Sequence, residues 1–158
     1  MKIFGHPIFL TPLLVAMLTA SSSAFALESL NFNVPYNDSA TSLIKEHVTL
    51  KGLDAISTPA IAKYDLNNDF INEYIVSDKN CIEAQLLCPF LIFANTAQNQ
   101  LIEIGSFTAR DVKISNNTTS GVRNLNIYQN NRNHFSFDVA KWNNNAARYV
   151  LFNQEHSQ

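Results

Sequence analysis

Glycine is scarce in this chain: four residues in 158, alongside one tryptophan, two cysteines and four histidines. So few glycines leave no phosphate-cradling loop, and neither G-x-G-x-x-G nor a Walker loop occurs. The G-x-S-x-G and H-E-x-x-H signatures of two hydrolase classes are missing as well. Charge is thin, 15% of residues, with 11 Lys and Arg against 13 Asp and Glu. No basic stretch exists to neutralise phosphates, which argues against a nucleic-acid partner. Beyond the first 26 residues no apolar run approaches transmembrane length.

What is present at the start reads as an export signal. Lys2 supplies the positive end, Ile8 to Ala20 is mostly apolar, and Ala24-Phe25-Ala26 supplies a cleavage-type ending. Thr11 and Pro12 interrupt the apolar run, which is short for a retained anchor. The expectation is a signal peptide over 1–26 and one exported domain over 27–158, periplasmic or secreted, with no membrane anchor after cleavage. Such a compartment is oxidising, and two cysteines allow one pairing, so Cys81 and Cys88 are expected to form a disulfide. A zinc site would need further ligands, and no histidine lies near them in sequence.

The remaining pattern is one helix followed by strands. Residues 27 to 38 form an irregular lead-in. Leu43, Ile44, His47 and Val48 make a helical stripe within Ala40 to Thr49, with Asp38 or Ser39 as cap and Gly52 as terminator. From Pro59 the period becomes two. Ile61–Tyr64 and Glu73–Ser77 read as a hairpin. Phe90–Ala94, FLIFA, is apolar on both faces and suits a central strand. Strands are also read at Leu101–Phe107, around Val112 and Ile114, around Leu125 and Ile127, around Phe135, Phe137 and Val139, and at Arg148–Phe152. Asn116–Gly121 and Asn143–Asn145 read as turns, where Asn can stand in for scarce glycine. No second crossover helix fits between strands. The expected fold is α+β: one N-terminal helix packed on a mainly antiparallel sheet of about seven strands.

Candidates for chemistry are few. His47 sits on the apolar stripe, where a packed histidine is commoner than a ligand; His134 opens a strand and His156 lies in the tail. Phe135, Phe137, Trp142, Tyr149 and Phe152 cluster late in the chain. Clean alternation favours core packing for the phenylalanines. Trp142, beside the Asn turn and carrying an indole N–H, is the contact candidate. The one metal-like spacing is Tyr64 to Val76, YDLNNDFINEYIV. Asp65, Asn67, Asp69 and Glu73 stand at relative positions 1, 3, 5 and 9, and Ile71 could offer its carbonyl at 7. Position 6 is Phe70 rather than the glycine of a calcium loop, and position 12 is Val76 rather than a bidentate glutamate. Either a weak calcium site or a polar turn held by Asx hydrogen bonds satisfies this pattern. The expectation is a tight turn that binds calcium at about 10⁻⁴ M at the tightest, or not at all.

This D-x-N-x-D-x-x-x-E run before Tyr74-Ile75-Val76 resembles the acidic loop of FG-GAP and VCBS-type repeats. The Cys81…Cys88 pair leading into FLIFA, the segment Thr119–Leu125, and the segment Trp142–Tyr149 are similar to those of small exported bacterial proteins built around one such loop. The resemblance covers residues 60 to 152. In those repeats the ninth-position acid, here Glu73, often closes the calcium shell. Asn124 replaces an expected Asp, and the group lends no activity. No catalytic constellation is visible, so the expected function is a non-enzymatic exported domain that binds another protein. An inhibitor or immunity protein against a wall-degrading enzyme or toxin is the alternative. A secreted hydrolase is the alternative from another class. An inhibitor should present a rigid protruding loop with an exposed aromatic or charged tip; a hydrolase should bring His47 or His134 to carboxylates in a deep pocket.

Overall fold

Two apolar faces on one strand demand two partners, and the FLIFA strand has them. The computed structural model describes residues 27–35, 39–50, 56–96, 100–129 and 137–152. The export segment 1–26, Asp38, Gly52, the Asn130–Asn131 pair, His134, Phe135 and His156 lie outside the described residues. The described elements are β1 (Glu28–Ser29), α1 (Ser39–Leu50), β2 (Pro59–Tyr64), β3 (Glu73–Asp78), α2 (Lys79–Glu83), β4 (Cys88–Asn95), β5 (Leu101–Ala109), β6 (Asp111–Thr119), β7 (Val122–Tyr128), β8 (Asp138–Asn143) and β9 (Arg148–Phe152).

The strands form two antiparallel sheets, β2-β3-β4-β5 and β1-β6-β7-β8-β9. Ile75, Phe90, Ile92, Phe107 and Ala109 of the first sheet share a buried cluster with Val112, Ile114, Leu125, Ile127, Ala140 and Tyr149 of the second. The opposite face of the first sheet, through Ile61, Tyr74, Val76, Leu91 and Phe93, clusters with Ala40, Ile44 and Val48 of α1. The four-stranded sheet therefore lies between the helix and the five-stranded sheet. That sandwiching is why Phe90, Leu91, Ile92 and Phe93 are all buried.

The expectation of about seven strands in one sheet is corrected to nine strands in two among the described residues. Two local features account for it. A single residue, Arg110, separates β5 from β6, and there the chain leaves one sheet and starts the other, its N–H donating to Tyr128 O at 2.7 Å. Period-two alternation reads the same on either side of such a corner. The lead-in also contributes β1, two residues paired with β6. Where the sheets converge, a Cβ on Gly105 would meet Ile92 Cδ1 at 3.2 Å and Tyr149 Cβ at 3.3 Å. Glycine there permits the close approach of β9, beside the register shift between β4 and β5.

Three further differences have physical reasons. α2 escaped the periodicity because it is five residues long and buries no side chain. It begins where Asp78 caps it by accepting from Cys81 N at 3.0 Å. Burial alone would raise the Asp78 carboxyl, but hydrogen bonds from Thr58 N, Cys81 N and the Ser57 hydroxyl outweigh it and hold the group below its usual range. The predicted turn at Asn116–Gly121 shrinks to Ser120-Gly121, because β6 continues to Thr119 through a register shift between Ile114 and Thr118. Both turn residues have positive φ, 54° and 82°, as a two-residue hairpin of this twist requires. Finally, the alternation around Val139 has the opposite phase to the one expected. Asn126 pairs with Val139, so Val139 faces away from the inter-sheet core, and Ala140 enters it. Phe137 lies against Tyr128, with ring centroids 5.4 Å apart.

The Cys81–Cys88 disulfide is present, with Cα atoms 5.7 Å apart, and ties α2 to the start of β4. Such a bond is compatible with an oxidising, exported location. Among the described residues, no helix is long and apolar enough to cross a membrane.

Candidate functional site

Three loops meet at one end of the two sheets: residues 65–72 between β2 and β3, Ser120-Gly121 between β6 and β7, and 144–147 between β8 and β9. Their bases are joined through the backbone of Arg123. Its N–H donates to Leu66 O at 2.7 Å, and its carbonyl accepts from the Tyr149 hydroxyl at 2.8 Å. Leu66 N in turn donates to Glu73 Oε2 at 2.7 Å. Higher up, Asn144 Nδ2 donates to Ser120 Oγ at 3.0 Å. Asn143 Oδ1 accepts from Asn145 N and Ala146 N, closing the third loop.

The β2–β3 loop is the predicted acidic run, and its polar atoms are spent on itself. Asp65 accepts from Asp69 N at 3.2 Å and from Phe70 N at 2.9 Å. Asn67 Oδ1 accepts from Asp69 N, and Asp69 Oδ1 from Ile71 N at 2.7 Å. Asn67 Nδ2 donates to Asp69 Oδ2 at 2.9 Å. These bonds hold Asn68 and Phe70 at φ of 61° and 67°. A left-handed backbone at a residue with a Cβ costs about 1–2 kcal/mol. Phe70 therefore takes the bend that a calcium loop reserves for glycine, but it does so against loop carboxylates and amides. Five of the six positive-φ residues among those described, Asn68, Phe70, Ser120, Gly121 and Ala147, belong to this end. Gly121 carries no Cβ and Asn68 tolerates this region, so the backbone strain at this end falls on Phe70, Ser120 and Ala147.

Phe70 is 90% exposed at the tip. A phenylalanine gains nothing from water, and no local packing accounts for it. Beneath the tip, Glu73 is only 4% exposed. Burial raises its carboxyl to about 7 from an ordinary 4.5, opposed by the Leu66 hydrogen bond and assisted by the charges of Asp69 and Asp65. Burial, reinforced by Glu73, pushes the Tyr149 phenol well above its ordinary range, with Arg123 opposing.

In the loop as described, the acids serve hydrogen bonds. Glu73 lies below it on Leu66 N, while both oxygens of Asp65 and of Asp69 accept hydrogen bonds within the loop. Among the described residues no group of three or more His, Cys, Asp or Glu could hold a metal ion. The candidates Asp65, Asn67, Asp69 and Ile71 are brought together at the tip, but as a hydrogen-bonded turn.

The other candidates lie elsewhere. Trp142 is half-buried, edge-on to Tyr149 at 5.8 Å, and packs against the inter-sheet core below the third loop. His47 is edge-on to Phe93 at 4.9 Å, and its buried Nε2 is 3.7 Å from Glu103 Oε2. That is beyond a hydrogen bond. His47 lines neither of two cavities of about 320 Å³. One of these lies beside β2 and α2, with Lys79 and Glu83 at its rim; the other lies on the outer face of the five-stranded sheet. Sequence reasoning missed Phe70, weighing it only as a fault in a metal loop. The available signal was a large aromatic at the one position where the turn needs positive φ. Compared with models of protein families, with curated proteins and with solved structures, this chain matches none.

Proposed function

We propose that this chain is a non-enzymatic, exported protein-binding domain whose binding end is the three-loop cluster, with Phe70 as its central anchor. The observation that carries this reading is Phe70 itself, 90% exposed and fixed at φ 67° by the Asp65 carboxylate. Exposed aromatics on rigid supports recur as binding hot spots, because ordering them on binding costs little further entropy. The hydrogen bonds that fix the loop favour a preformed wedge over a segment that folds on contact. That form suits a blocking role, the inhibitor or immunity variant of the same reading. Ile71, also exposed, would extend the apolar contact.

The test is photo-crosslinking in the producing cell. A benzoylphenylalanine placed at position 70 should give a discrete adduct of higher mass. The same group at Leu86, an exposed residue between α2 and β4 at the opposite end of the four-stranded sheet, should not. No adduct at 70, or equal adducts at both positions, overturns the assignment of this end.

A further inference from the structure

We propose that Cys81 is a thiol-exchange site: a low-molecular thiol attacks its sulfur in the folded protein and forms a mixed disulfide there, with Cys88 as the leaving sulfur. The two halves of this disulfide stand in different surroundings. Cys88 is 0% exposed and belongs to the inter-sheet core, with Ala109 as its ladder partner. Cys81 is half-buried, on α2, a helix that buries no side chain. Between them, every residue from Glu83 to Leu87 is exposed. The site lies at the far end of the four-stranded sheet from the three loops and does not rest on them.

Access decides which sulfur is attacked. Exchange rates depend on the thiolate fraction of the attacker and on its path to the disulfide. A thiolate bound for the Cys88 sulfur would have to enter the core, since that residue has no surface open to solvent. Cys81 is the one of the pair that has. The attacker's electron pair makes the new bond to Cys81 Sγ. The Cys81–Cys88 bond breaks, and its pair leaves on Cys88 Sγ. Cys88 then takes a proton, because apolar surroundings disfavour a thiolate. That proton balances the one the small thiol lost to solvent when it ionised. One thiol and one disulfide become one mixed disulfide and one thiol, with no outside oxidant.

The ring keeps its place once the bond is cut. Ala84 N donates to Asn80 O and Gln85 N to Ile82 O, each at 3.0 Å, and Leu86 N donates to Cys81 O at 3.2 Å. Asp78 accepts from Cys81 N at 3.0 Å. From outside the ring, Arg110 Nη1 donates to Gln85 O at 2.6 Å. Cys88 is held separately, by the pairing of β4 with β5. The two sulfurs therefore stay neighbours, and Cys88 can attack Cys81 in turn and expel the small thiol. That return is intramolecular and gains from proximity. In the native chain the mixed disulfide is thus a minor, reversible species; without the Cys88 sulfur it persists. The site couples the domain to the thiol poise of its compartment without unfolding it.

The experiment uses glutathione and the full protein. With glutathione disulfide and no denaturant, Cys88→Ser should take up one glutathione on Cys81. Cys81→Ser should react at Cys88 at least about a hundredfold more slowly, since a buried thiol waits for the structure to open. In urea that unfolds both variants, the two rates should agree within about threefold, which separates access from intrinsic reactivity. The native chain supplies a second arm that needs no substitution. Reduced glutathione is added, the reaction is stopped with acid, and the peptides are mapped by mass. The adduct should sit on Cys81. Loss of the disulfide should be first order in glutathione and unchanged by urea below the unfolding transition. Four results overturn the proposal: no adduct on Cys81 in Cys88→Ser, an adduct on Cys88 in the native chain, equal rates in the two variants without denaturant, or a native-chain rate that saturates in glutathione and climbs with low urea.

Discussion

Replacing Glu73 with Gln should make this protein more stable at alkaline pH and remove a pH dependence the native chain shows. In the folded protein the Glu73 carboxyl titrates at about 7, against an ordinary 4.5. Between these values the folded state keeps a proton that the unfolded chain has released. Stability from this group is therefore complete below pH 4.5, declines as pH rises toward 7, and stays low above it. At about 1.36 kcal/mol per pH unit, the gap amounts to about 3 kcal/mol at most. Glutamine cannot ionise, and its carbonyl can still accept from Leu66 N, the bond Glu73 makes at 2.7 Å. Urea unfolding of both proteins from pH 4.5 to pH 8.5 measures the effect. At pH 4.5 the two should agree within about 1 kcal/mol; at pH 8 the variant should lead by about 2–3 kcal/mol. The same pH slope in both proteins, or a variant less stable at pH 8, would refute the picture of a buried, proton-holding Glu73.

Other outcomes follow from the same residues. Asp65→Ala deletes two carboxylate-to-amide bonds in an exposed loop and should cost about 1–2 kcal/mol by urea unfolding, with faster hydrogen exchange at Asp69 and Phe70. Removing the disulfide as Cys81→Ser with Cys88→Ser should cost about 2.5 kcal/mol by the loop-entropy estimate for an eight-residue ring, read in the same assay. Calcium at 1 mM should leave the melting temperature within about 1 °C of its value in chelator; a shift of several degrees that disappears in Asp65→Ala would mean the loop rearranges to bind.

What the sequence revealed, and what it hid, divides along the range of the interactions. FLIFA announced a strand buried on both faces, because only a doubly covered strand tolerates apolar residues at consecutive positions. The D-x-N-x-D spacing announced a tight loop, because Asx side chains bond amides two residues on. Neither signal carries information about which sheet a strand joins. The corner at Arg110 is a single residue, and the phase of β8 is set by its pairing with β7, so Val139 and Phe137 could not be assigned to a face. The acids of the loop were legible as a group, but their destinations were not. Glu73 is drawn beneath the loop by a long-range core that includes Tyr149, and this leaves Asp65 and Asp69 to the local amides. Phe70 was visible throughout, yet its exposure is a property of the fold.

The central claim is that Phe70 is held out for a partner at the fold's expense. Phe70→Gly tests it most directly, with unfolding free energy and retention of the partner crosslinked through position 70 measured on the same preparation. Glycine relieves the left-handed strain, offset in part by its greater unfolded-state entropy, and almost no packing is lost. The account predicts stability equal to the native chain or higher by about 1 kcal/mol, with partner retention abolished. A variant that is less stable by more than about 1 kcal/mol, or one that retains the partner undiminished, would contradict it.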